Sequence, residues 1–156
     1  MLDWQDIVLR LGAATLAGGL IGLNRDLHSK PIGLRTLGLV GLAAAMVVVL
    51  EESSGNPDPR IIQGILTGVG FLGAGVIIHA DQNSRIRGLT SAACTWLTAC
   101  IGILCGAGQW KIMTAGLAIT FIVLIAGGRA EAWLHGAFGG KDYPAEDAAK
   151  SDPPMT

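Results

Sequence analysis

The chain has 156 residues, of which 51% are hydrophobic and only 15% charged, with a mean hydropathy of +0.52 and a formal net charge of −1. A soluble domain carries roughly 25% charged residues, so this composition argues against one. A charge near zero, without a stripe of Lys and Arg interleaved with aromatics, gives no support to nucleic-acid binding.

Five apolar segments emerge, at about residues 7–23, 33–50, 61–80, 88–107 and 112–130. Each approaches the roughly 20 residues that a helix needs to cross a bilayer. The expected fold is therefore an all-α, polytopic transmembrane bundle. The N-terminal MLDWQDIVLR is acidic ahead of its apolar run, unlike the basic start of a cleaved signal peptide, so the first segment is expected to be retained as a span. It carries Ala14, Gly18 and Gly22 four apart on one helix face. Gly18 and Gly22 form a GxxxG pair, and Gly102 and Gly106 repeat it in the fourth segment. Small residues let helix backbones approach closely in lipid. The spacing fits packing inside the bundle or a homo-oligomer interface, and does not separate them.

Asn24-Arg25-Asp26 closes the first segment, and Pro31 suits the start of the second, which places Arg35 near the same membrane face. Asp58-Pro59-Arg60 reads as the start of the third helix, with Asp as N-cap and Pro at the first helical position. That segment holds Gly64, Gly68, Gly70, Gly73 and Gly75. In water each glycine would cost a helix about 1 kcal/mol relative to Ala, so this density is expected to mark the centre of the bundle, buried among other helices. Arg60, Gln63 and Thr67 share one face and form a candidate intramembrane polar track, joined from the fourth segment by Thr90 and Cys94. Gly68 to Gly73 formally matches GxGxxG, but no strand precedes it, so a dinucleotide site is not expected.

The fourth segment begins Arg87-Gly88-Leu89-Thr90-Ser91, with Thr90, Cys94 and Thr98 on one face. Trp96 lies too deep for an interfacial belt and is expected between helices, whereas Trp4, Trp110 and Trp133 sit at span ends, where aromatic anchors belong. Cys94, Cys100 and Cys105 share this one segment without a CxxC pair and read as packing residues. After the fifth segment comes the polar tail GGKDYPAEDAAKSDPPMT, too poor in apolar residues to build a core. The expected division is a transmembrane domain over residues 1–134 and a disordered tail over 135–156.

Cations fall unevenly about these segments: Arg25, Lys30, Arg35, Arg85, Arg87, Arg129, Lys141 and Lys150 on one side, Arg10, Arg60 and Lys111 on the other. The positive-inside rule then puts the N-terminus outside and the C-terminus in the cytoplasm. Arg25, Asp26, Arg35, Asp81 and Arg87 gather at the cytoplasmic face, where Arg–Asp pairing would lock the loops or form a partner surface. His28, His79 and His135 have no metal-ligand spacing. No nucleophile–base pair is visible, so neither an enzyme nor a cofactor or metal site is expected.

In this order, Arg10-Leu11 through Gly18-Gly19-Leu20-Ile21-Gly22-Leu23-Asn24-Arg25-Asp26, Gly33-Leu34-Arg35-Thr36, Gln63-Gly64, Gly70-Phe71-Leu72-Gly73-Ala74-Gly75-Val76-Ile77, and Arg87-Gly88-Leu89-Thr90-Ser91-Ala92-Ala93 with Trp96 resemble the MgtC/SapB family of bacterial inner-membrane proteins. The family usually has an acidic residue where this chain has Asn24, so no carboxylate role carries over there. Some members carry a soluble C-terminal domain, which is not expected here. The resemblance implies adaptation to low magnesium, virulence-associated in some species, without the protein itself being an established magnesium transporter. It also implies modulation of other membrane proteins, the ATP synthase among them. The expected function is a non-enzymatic modulator in the inner membrane, with the lipid bilayer, other membrane proteins and a possible second copy as partners. The alternative is a small ion channel or transporter subunit using the polar track of the third span.

Overall fold

The computed structural model describes residues 2–30, 32–55, 58–78 and 88–138. In them the chain forms five helices, α1 (Trp4–Leu27), α2 (Leu34–Ser53), α3 (Pro59–Ile78), α4 (Leu89–Gly106) and α5 (Trp110–Phe138). All five are long and apolar enough to cross a membrane, because a helix of about 20 residues spans about 30 Å. Among the described residues there is no strand. This is the all-helical, polytopic architecture expected from hydropathy. Contacts divide the chain into residues 1–119 and 120–156, the boundary falling within α5.

The helix starts follow from side chains that satisfy free backbone N–H groups. Asp3 Oδ1 accepts the N–H of Trp4 at 2.9 Å and opens α1. Asp58 Oδ1 accepts the N–H of Arg60 at 2.9 Å, as the Asp-Pro-Arg run predicts. The N-cap of α2 is Gly33, which has no side chain to offer. Asp26, at the end of α1, reaches across the connection instead, and its Oδ2 accepts the N–H of Leu34 at 2.8 Å.

Within residues 1–119 the core lies between α1, α2 and α4. Ala14, Ile21, Leu37, Ala45, Ala99, Ile101 and Cys105 are buried there. Glycines set how closely these helices meet. A Cβ on Gly18 would overlap the carbonyl oxygen of Leu37, one on Gly22 would come within 2.6 Å of Leu34 Cα, and one on Gly41 within 2.7 Å of the Ala14 carbonyl oxygen. These pairings run in opposite directions along the two chains, so α1 and α2 are antiparallel. On the other side of α2, a Cβ on Gly102 would overlap the Gly41 carbonyl oxygen, and one on Gly106 would lie 2.8 Å from that of Ala45. Here α2 and α4 run parallel. Gly18 and Gly22 therefore pack against α2 within the bundle, one of the two readings that their spacing left open.

The centre of the bundle is not α3, contrary to the expectation from its glycine density. It packs on α4, and to a lesser extent on α2. Ile65, Leu66 and Val69 lie against a cluster of Ala44, Val48, Ala99 and Ile103. A Cβ on Gly73 would touch Ala92 Cβ at 3.6 Å. One on Gly64, Gly68 or Gly70 would meet nothing within 4 Å among the described residues. Glycine content reports that a backbone can be approached, not which helix approaches it. A second correction concerns Trp96, which is 45% exposed on the outside of α4 rather than held between helices.

Candidate functional site

Three helix ends meet where α1 finishes and α2 and α4 begin. Arg25, in the last turn of α1, is buried, with 7% of its surface exposed. Its Nη2 donates to Ser91 Oγ in the first turn of α4 at 2.7 Å, and its Nε is buried without a partner. Next to it, Asp26 holds the start of α2. Gly33 is required for this, because a Cβ there would overlap the Asp26 carboxylate. The link between these two helix ends is therefore carboxylate to backbone, rather than the Arg–Asp pairing expected from sequence. Asp26→Ala should weaken the fold by about 1 kcal/mol, as loss of an N-cap does, measured by thermal unfolding in detergent. Arg35 is exposed in the first turn of α2. The Asn24 carbonyl oxygen lies 2.7 Å from His28 Nδ1. Asp81 and Arg87, assigned to this cluster from sequence, lie outside the described residues.

The opposite end of the same helices is held by Arg10, which the sequence placed among the outer cations and at the start of the family motif without a partner. Its Nη2 pairs with Asp6 Oδ2 at 2.8 Å, one turn earlier on α1. Its Nη1 pairs with Glu52 at the end of α2 and donates to the Gly106 carbonyl oxygen of α4 at 2.8 Å. One guanidinium thus ties α1, α2 and α4 together. Its partner Glu52 is 42 residues away, a separation that no local pattern reveals.

The residues of the candidate polar track divide between two surroundings. Arg60, Gln63 and Thr67 are exposed on α3. The Thr67 hydroxyl donates to the Gln63 carbonyl oxygen at 2.8 Å and so serves its own helix. On α4, Thr90 is exposed while Cys94 is buried. The polar side chains that are buried in α4 are Ser91, Thr95 and Thr98. The hydroxyls of Thr95 and Thr98 donate to the carbonyl oxygens of Ser91 and Cys94, at 3.0 Å and 2.7 Å, which lets them lie in the core without a partner from another helix. Among the described residues no group of three or more His, Cys, Asp or Glu could hold a metal ion.

This arrangement of closely packed, glycine-bearing spans can be set beside known proteins. Residues 11–133 match the MgtC family. The chain belongs to that family. It is 36% identical over 148 residues to the protein SrpB of Synechococcus elongatus, covering 85% of this chain and 81% of SrpB. It is 46% identical over 121 residues to the protein MgtC of Salmonella typhimurium, covering 76% of this chain and 50% of that one. To the protein SapB of Bacillus subtilis it is 37% identical over 135 residues, covering 78% and 58% respectively. The match thus spans about half the length of the Salmonella MgtC. No solved structure matches the chain. Family membership and five apolar helices together make this a multi-pass membrane protein of the MgtC family.

Proposed function

We propose that this MgtC-family chain is a non-enzymatic modulator that binds other membrane proteins in the bacterial inner membrane, in adaptation to low magnesium. Its N-terminus would lie outside and its C-terminus in the cytoplasm, the orientation that its cation distribution favours. The observation that carries the reading is the outer face of α3. Gly64 and Gly68, one turn apart on the same side of the helix, open onto nothing within 4 Å among the described residues, beside an exposed Gln63. Glycines give a helix no advantage against lipid tails, and an amide side chain in hydrocarbon costs free energy unless it is hydrogen-bonded. Another helix pressed onto this face would gain close backbone packing and a partner for Gln63. The ATP synthase is one partner that family resemblance suggests.

The test is growth of cells lacking the gene in low magnesium, complemented by variants. Gly68→Leu fills the open face without touching the core, so it should leave membrane insertion and stability intact but abolish growth support. Arg35→Ala, on the exposed start of α2, should do the same. Full complementation by both variants would overturn the reading.

A further inference from the structure

Arg25 is buried and Arg10 nearly so, with its side chain 12% exposed, and their partners differ. Arg10 has two carboxylates and a carbonyl oxygen. Among the described residues Arg25 bonds only the Ser91 hydroxyl and pairs with no carboxylate; the Nε of each arginine is without a hydrogen-bond partner. A guanidinium carries five N–H donors, and a buried charge is heavily penalised unless it is paired.

Where Arg25 points sharpens the problem. Ser91 lies in the first turn of α4, whose N-cap is Gly88, at φ 83° and with no side-chain cap. The N–H groups of Leu89, Thr90 and Ser91 precede the first intrahelical bond, which Ala92 makes to the Gly88 carbonyl oxygen. A helix N-terminus is the positive end of its dipole. The buried Arg25 guanidinium thus meets the positive end of α4 through the neutral Ser91 hydroxyl. An anion would resolve both conflicts at once, and free amides at a helix start are a recurrent anion site.

We infer that Arg25, Ser91 and the opening amides of α4 form a binding site for a phosphate group, supplied by an anionic lipid headgroup or by free phosphate. A tetrahedral phosphate has enough oxygens to accept the arginine fork, the serine hydroxyl and the backbone amides together. The site lies at the ends of two spans, at headgroup depth, beside the exposed Leu89 and Thr90. This inference stands apart from the docking face of α3, and its test does not use that face.

The test is thermal unfolding of the full chain, purified in neutral detergent, with added phosphatidylglycerol, inorganic phosphate or diacylglycerol. Phosphatidylglycerol should raise the Tm of the wild type, and diacylglycerol, which lacks the phosphate, should not. A response to inorganic phosphate as well supports the site with free phosphate as its source; a response to phosphatidylglycerol alone supports it with lipid as its source. Arg25→Gln should abolish the response. Ser91→Ala, a small change that keeps the core volume nearly constant, should weaken apparent affinity about tenfold, and it decides the matter if Arg25→Gln does not fold. No response of the wild type to either phosphate species overturns the inference. So does a response that survives undiminished in Ser91→Ala, or one that diacylglycerol reproduces.

Discussion

Replacing Gly102 by Ala should cost the fold about 1–3 kcal/mol, towards the upper part of that range. The added methyl would overlap the carbonyl oxygen of Gly41 and lie 3.0 Å from both Gly41 Cα and Ala44 Cβ. Backbone and a helix-bound methyl cannot rotate aside as the tip of a long side chain can. The α2–α4 contact must then open, and Gly41 also sits against Ala14 of α1, so the displacement spreads to the third helix of the core. The matched control is Gly68→Ala on the outer face of α3, where the methyl meets nothing within 4 Å. There the change should stay within about 0.5 kcal/mol, or raise stability slightly through better helix propensity. Chemical or thermal unfolding of both variants in the same detergent checks the pair. Equal destabilisation would mean that α3 is packed as tightly as α4, and the arrangement described here would fail.

Removing the clasp at the other end of the core is the second large effect. Arg10→Met keeps much of the side-chain length but deletes the bond to the Gly106 carbonyl oxygen and the pairs with Asp6 and Glu52. The Arg10 side chain is only 12% exposed, so water does not readily replace what is lost, and about 2 kcal/mol of stability should go with it. Glu52→Gln should cost less, under about 1 kcal/mol. Glu52 is 43% exposed, and Asp6 would remain to balance the guanidinium. A double-mutant cycle between the two positions isolates their coupling. A neutral Arg10→Met would show that the three helices hold together without the clasp.

Hydropathy made the five spans legible, because crossing a bilayer demands a length of apolar chain that few other structures need. Their ends moved by a few residues where capping groups, Asp3 and Asp26 among them, decide the boundary. The fifth helix continues to Phe138, well past the apolar segment that marked it. The GxxxG pairs correctly marked α1 and α4 as closely approached. Arrangement was harder to read. The many glycines of α3 suggested a central helix, whereas its outer face is open. The better signal lay in α4, where Ser91, Thr95, Thr98 and Gly102 recur at intervals of four and three residues along the buried face. The face expected from sequence was Thr90, Cys94 and Thr98, of which Cys94 and Thr98 are buried while Thr90 faces outward. Arg25 was recognised, but its partner Ser91 was not, since the two are 66 residues apart. Long-range pairs of this kind depend on which helices become neighbours, and composition does not encode that.

The outer face of α3 is the proposed surface for another membrane protein, and photo-crosslinking in living cells reads that surface directly. A photoreactive amino acid would replace Thr67, an exposed residue of that face whose only described hydrogen bond is to its own helix. Irradiation of cells grown in low magnesium is predicted to join the chain to a different membrane protein, and Gly68→Leu in the same chain should abolish the adduct. Adducts with lipid alone, or with another copy of the chain alone, would contradict the proposed mode of action.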